Sequence, residues 1–220
     1  MITVENTNVT GFEATIRGMR NPMNSWDKSD SKILENTYGY ANPDVMIGKN
    51  DLNLMKSLIK SGTDHSKFLR MIYVSFDIIA PLYWWKEFDT YKIGTVSNSC
   101  STMHTIHKNE FKESDFSQEQ IKNLDGIEQR IAEYDLDRTI KTLNYFRNKY
   151  NETKEKRYWY IMVQKLPSSY NQRRTISTNY QVLINIHKQR CNHKLNEWVG
   201  FCDFILRLPY MADFILWSYE

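Results

Sequence analysis

The sequence predicts an α+β fold, a mixed or antiparallel sheet core flanked by helices. Three observations point there. The run FLRMIYVSFDI, residues 68–78, alternates as a strand does, with Met71, Tyr73, Ser75 and Asp77 between Ile72, Val74, Phe76 and Ile78. Four separate stretches place apolar residues at helical spacing. The chain has 220 residues, 41% hydrophobic and 14% aromatic, enough to bury a core and to exclude global disorder.

Taken in order, residues 1–10 read as a short strand through Ile2, Val4 and Val9, and Phe12–Met19 as a short helix. Asn21–Asp44 is rich in Asn, Ser, Asp, Pro and Lys and reads as a long polar loop. Asp51–Ser61 reads as a helix capped by Asp51, with Leu52, Met55, Leu58 and Ile59 on one face and Gly62 closing it. Thr63–Ser66 then leads into the 68–78 strand, whose apolar groups on both sides predict cover by helices on one side and contact on the other. The next helix starts at Pro81, a residue suited to a first turn, and aligns Pro81, Trp84, Trp85, Phe88 and Lys92; it is expected to end near Lys92–Gly94. The small polar run Thr95–Thr102 follows, able to line a pocket for a polar or phosphorylated ligand; an ordinary surface loop is the competing reading.

Ser117–Tyr150 is strongly helical in pattern. Ser117 and Gln120 resemble a capping box, Gly126 marks a kink or break, and Ile127, Ile131, Leu136, Ile140, Leu143 and Phe146 supply buried faces. Glu155–Lys165 is a further helix broken by Leu166–Pro167. Residues 1–220 thus form a single domain with a helical subregion at about 115–160. Tyr170–Thr178 is extended, and Asn179–Arg190 is a helix with an amide at one end and a guanidinium at the other, Leu183 and Ile186 lying between them on one side. Leu195–Leu216 is helical and apolar until Pro209 interrupts it.

The net charge of +3 is scattered and gives no reason to expect a nucleic-acid partner. No apolar run is long enough to span a membrane and no apolar leader precedes the first strand, so the expected location is cytoplasmic. Cys100, Cys191 and Cys202, an odd number, predict no disulfide framework. Together with His104, His107 and His193 they show no zinc-ligand spacing, so no metal is expected. Cys100 as a nucleophile would need a base such as His104, and a buried thiol is the plainer expectation. Arg173 and Arg174 can grip phosphate, although adjacent arginines are commonly surface residues.

Two blocks together resemble the flavin-dependent thymidylate synthases. The first is DHSKFLRMIYVSFDIIAPLYWWKEFDTYKIGTVSNSCSTMH, residues 64–104; the second is LPSSYNQRRTISTNYQVLINIHKQR, residues 166–190; they cover about a third of the chain. The family pattern runs through both without a gap, and His65, Asn179, Asn185 and Arg190 fall at matching positions. The departures are as informative. The family's Arg-His-Arg is Thr90–Tyr91–Lys92, its Arg-Gln pair is Lys86–Glu87, its later signature serine and arginine are Cys100 and Thr102, and a flavin-contacting arginine is Gln181. Threonine and tyrosine do not replace the charge of arginine, and Lys92 does so only as a point charge.

The resemblance implies a homotetramer of thymidylate-synthase-complementing-protein-like subunits, with FAD as cofactor, NADPH and methylenetetrahydrofolate as co-substrates, and a uridine nucleotide methylated at C5. It assigns FAD contacts to His65, Tyr91, Lys92, Asn179 and Asn185. Substrate contacts fall to Lys86, Glu87, Ser99 and Ser101, and Arg190 holds the reacting base. A non-catalytic tetrameric descendant that binds a nucleotide or a protein is the alternative, and an unrelated helical binding protein the third.

Overall fold

In the computed structural model, residues 2–33 and 45–220 are described; residues 34–44 of the expected polar loop lie outside them. The order of elements is β1 (Thr3–Thr10), α1 (Phe12–Arg20), β2 (Lys32–Ile33), β3 (Val45–Met46), α2 (Lys49–Lys60), β4 (Tyr73–Pro81), α3 (Leu82–Phe88), β5 (Val96–Ser99), α4 (Thr102–Thr105), α5 (Gly126–Thr153), α6 (Lys156–Lys165), β6 (Asn171–Asn179), α7 (Tyr180–Arg190), α8 (Asn196–Leu206) and α9 (Met211–Trp217). Strands β1, β4, β6 and β5 form one antiparallel sheet in that order, and β2 pairs with β3 through Lys32 opposite Met46. The predicted α+β class is the observed one. No described helix is long and apolar enough to cross a membrane.

The chain divides into two compact units. One comprises Val4–Ile78, Tyr91–Ser97 and Thr175–Glu220; the other is mainly Ile79–Thr90 and Asn98–Arg174. In the first unit α7 packs on α8 and α9, and α2 on α9. Its core is largely aromatic: Tyr180 meets Phe12 edge-on at 5.9 Å, and Phe76 meets Phe204 at 5.2 Å. Gly11 closes the turn from β1 into α1 with φ +97°, where a Cβ would lie 2.2 Å from the Met71 carbonyl oxygen. Only glycine is tolerated there. In the second unit α5 and α6 pair over a cluster of Ile106, Phe111, Phe116, Leu143 and Met162.

Several expectations need correction. The strand begins at Tyr73, not Phe68, because Lys67–Arg70 is a 3-10 turn. Phe68 and Leu69 are both buried, which consecutive strand residues facing opposite sides of a one-sided sheet do not achieve. On the strand itself the reading holds: Ile72, Val74, Phe76, Ile78 and Ala80 are buried on one side, while Ser75, Asp77 and Ile79 on the other are half-buried and Tyr73 is 56% exposed. Asp51 is no cap. Helix α2 starts two residues earlier behind Gly48, and Asp51 is fully buried. Pro81 is the extended residue that ends β4, not a first-turn residue, and α3 stops at Phe88. It stops there because Thr90 turns back on Glu87, its N–H and hydroxyl both donating to that carbonyl. The polar run after it is partly strand, β5, exposed along its length.

Ser117 caps nothing either: its hydroxyl donates to Asn171 Oδ1 and its N–H to the Ser169 carbonyl. The long helix therefore begins at Gly126, where the sequence marked a break. Ile127 and Ile131, expected in a buried face, are 68% and 62% exposed, since the core cluster underlies only the later turns of α5. Two short 3-10 turns and β2 occupy part of the segment expected to be a plain loop.

Candidate functional site

The residues with the densest polar and aromatic organisation in the first unit surround α7. Asn179 is its N-cap, accepting a hydrogen bond from the Val182 N–H at 3.1 Å, which supplies a partner that the first turn of a helix lacks. Leu183 and Ile186, between Asn179 and Arg190 on the same side of the helix, are fully buried. The segment Tyr91–Thr95 lies along the helix as a strap fixed at both ends. At the N-terminal end, Thr178 Oγ1 donates to the Gly94 carbonyl at 3.1 Å and lies 3.2 Å from Thr95 Oγ1. At the C-terminal end, the Tyr91 hydroxyl donates to Gln189 Oε1 at 3.0 Å and accepts from Arg190 Nε at 2.8 Å.

Gly94 explains how closely the strap approaches. Its φ is +76°, and a Cβ would sit 3.0 Å from Val182 Cγ2 and 3.1 Å from Asn179 Nδ2. Gly94→Ala is expected to cost about 1 kcal/mol or more in stability, because alanine must adopt a left-handed conformation in a crowded place. The tethering of Tyr91 should loosen with it. Chemical denaturation reads the first effect, and hydrogen exchange at residues 91–95 the second.

Arg190 is half-buried between aromatic rings. Its guanidinium carbon lies 4.8 Å from the Trp198 ring centroid and 5.7 Å from that of Tyr91, and these two rings meet edge-on at 6.0 Å. A planar, permanently charged group suits such stacking. The last turn of the helix favours this cation as well. Nothing in the sequence pattern singles out Trp198 or Gln189, and Gln181 stands where the resemblance places a flavin-contacting arginine. Gln181 Oε1 is buried and takes no hydrogen bond among the described residues, while its Nε2 donates to Asn185 Oδ1 at 3.3 Å. Asn185 and Lys92 are exposed. His65 is exposed in the turn that follows α2, its N–H donating to the Gly62 carbonyl.

The second unit holds the other expected contacts. Lys86 is exposed on α3, Glu87 is half-buried beside it, Ser99 lies exposed on β5, and Ser101 caps the one-turn helix α4. Here the polar run does line a cleft, of about 280 Å³, through Cys100 and Thr102, together with Asp115, Tyr170 and Arg173. Burial, then the Asp115 carboxylate and Cys100, push the Tyr170 phenol up, so it stays a neutral donor at physiological pH. Cys100 is exposed, not the buried thiol that was the plainer expectation, and its Sγ lies 3.7 Å from Thr105 Oγ1. Arg174 is committed within its own unit. It stacks 4.2 Å over Trp85, donates to Asp89 at 2.7 Å and Gln172 at 3.0 Å, and so is no phosphate grip. The alternation of β6, which puts residues 172 and 174 on one face, is the sequence signal for that pairing.

All three cysteines are free thiols. Burial pushes the Cys202 thiol up to about 12, which removes it as a reactive thiolate. Among the described residues no group of three or more His, Cys, Asp and Glu is placed to hold a metal.

No family sequence model matches the chain, and no curated protein does. Solved structures do. The fold is similar to that of the flavin-dependent thymidylate synthase ThyX from Helicobacter pylori complexed with FAD and dUMP, with a TM-score of 0.66 and 17% identity over 96% of each chain. A second structure of that enzyme with FAD and dUMP gives a TM-score of 0.68 and 16% identity over 100% of each chain. At such identities the likeness is one of fold, and function has to be argued from the site.

Proposed function

We propose that this protein binds FAD and a uridine nucleotide and acts as a divergent flavin-dependent thymidylate-synthase-like enzyme, methylating its substrate at C5. The observation that carries this reading is the agreement of fold from end to end with an enzyme solved with FAD and dUMP.

The residues around α7 fit a flavin. The buried, unpartnered Gln181 Oε1 is an acceptor for a ring N–H, and the exposed Asn185 amide beside it adds a donor. Gln181 and Asn185 would hold the polar edge of the ring. Lys92 supplies the positive charge for the diphosphate, His65 a further donor, and Tyr91 and Asn179 shape the wall between strap and helix. FAD, when bound, carries the hydride that the protein side chains cannot. The chain's own work is binding and orientation. Arg190 presents a fixed charge to a pyrimidine carbonyl, its guanidinium prevented from swinging by Trp198 and Tyr91. Lys86, Glu87, Ser99 and Ser101 are the proposed substrate contacts, in a homotetramer whose sites neighbouring subunits complete.

The alternative, a non-catalytic tetramer that binds a nucleotide or a protein, draws on one observation. Where the family has Arg-His-Arg, Tyr91 is a structural tether and Lys92 the only remaining charge of the three positions. Purified protein incubated with FAD and passed through gel filtration should keep a flavin absorbance spectrum, and should then oxidise NADPH only when methylenetetrahydrofolate and dUMP are present. A colourless protein overturns the flavin reading. A coloured protein that leaves NADPH and dUMP untouched selects the non-catalytic one.

A further inference from the structure

Helix α5 carries an apolar stripe that the described chain leaves uncovered. Ile127, Ile131, Tyr134 and Tyr145 are between 57% and 69% exposed. With Arg138 and Lys141 they recur at spacings of four, three, four, three and four residues, the seam of a two-helix coiled coil. The seam runs about 27 Å at the helical rise. An open groove of about 470 Å³ lies on it, lined by Tyr134, Arg138, Lys141 and Tyr145 with Asp137 and Phe146. The opposite side of α5, Leu136, Ile140 and Leu143, belongs to the core, so this face has no such task.

The charge of the helix is divided at its middle. Gly126–Asp137 holds Glu128, Glu133, Asp135 and Asp137 against Arg130, a net of −3. Arg138–Thr153 holds Arg138, Lys141, Arg147 and Lys149 against Glu152, a net of +3. Such a division suits the dipole of a lone helix, but it also makes the helix its own electrostatic complement when reversed.

We propose that α5 pairs antiparallel with α5 of a second copy of this chain. A two-fold axis near Leu136 brings each acidic half against a basic half, whereas a parallel pair would oppose like charges along its whole length. In that register Ile127 faces the partner's Tyr145, Ile131 the partner's Lys141, and Tyr134 the partner's Arg138. The last pairing sets a guanidinium over a ring, and the contact is isologous, so it closes on itself. Arg138 and Lys141 already pair with Asp135 and Asp137 in the same helix, at 2.9 and 2.7 Å, and these pairs are exposed enough to exchange partners at little cost. The inference uses α5 alone and is independent of the flavin reading.

Cysteine cross-linking of the full chain tests it, in a Cys100→Ser background that removes the exposed native thiol. The double variant Ile127→Cys/Tyr145→Cys should give a covalent dimer on mild oxidation, and neither single variant should. Residues 127 and 145 are too far apart along one helix to join within a chain. No covalent dimer from the double variant overturns the proposal, as does self-linking of Ile127→Cys alone, which would mean a parallel pair. Ile131→Lys, which sets a like charge against the partner's Lys141 from an exposed position, should lower the sedimenting mass at least two-fold with unchanged circular dichroism. Added salt should weaken wild-type pairing, because it screens the attraction between acidic and basic halves. Mass unaffected by Ile131→Lys, or a wild-type chain that is monomeric throughout, assigns this face to another protein and overturns self-pairing.

Discussion

Asp51→Ala is expected to destabilise the first unit by about 3–5 kcal/mol, the range found when one partner of a buried ion pair is removed. Asp51 and Arg20 are 0% and 4% exposed, with Arg20 Nε donating to Asp51 Oδ1 at 2.6 Å. The other carboxylate oxygen accepts from the Ser29 and Ser31 hydroxyls at 2.7 and 2.6 Å and from the Asp30 and Ser31 N–H groups. Arg20 in turn donates to the Ser25 and Lys28 carbonyls. One carboxylate thus ties α1, α2 and the segment between them. Its loss would leave a buried guanidinium without its counter-charge and five donors without their acceptor.

The pH dependence has a definite sign. Burial alone would raise the Asp51 carboxyl, but the hydrogen bonds from Ser31, Ser29 and Arg20, with the Arg20 charge, outweigh it and hold the group below the usual carboxylate range. A group depressed in the folded state contributes stability that is fully present above its unfolded value, about 4, and is lost as pH falls through the folded one. Urea midpoints of wild type and Asp51→Asn should therefore differ most at neutral pH and converge in acid. A gap independent of pH would refute the assignment of the charge to this carboxylate.

Arg190→Ala is expected to weaken dUMP binding about 10- to 100-fold, corresponding to the loss of one charged hydrogen bond in a sheltered site. Arg190→Lys should recover little. Lysine keeps the charge but has no plane to stack on Trp198 and cannot donate from a fixed Nε to the Tyr91 hydroxyl. Titration calorimetry with dUMP measures both, and circular dichroism confirms that α7 remains folded. Wild-type affinity in either variant would remove Arg190 from the proposed contact with the base.

Much of this arrangement is legible in local patterns. Alternation from Ile72 to Ile78 specified the central strand, the Asn179–Arg190 spacing specified α7 with an amide at its start, and Gly62 and Gly126 marked a helix end and a break. These features follow from backbone preferences and from the periods of strand and helix, which neighbouring residues define among themselves. Local pattern could not say which apolar face would find a partner. Ile127 and Ile131 have the spacing of buried residues, yet no core reaches them; Asp51 has the chemistry of a cap, yet Arg20, 31 residues earlier, draws it inside. Tyr91 and Arg190 stand 99 positions apart, and Trp198 lies beyond the helix that carries the arginine. The chain's own letters determined which elements form, though not where several of them begin and end. Only tertiary packing decided which charges are buried, because the energy of a buried charge depends on partners that distant segments bring to it.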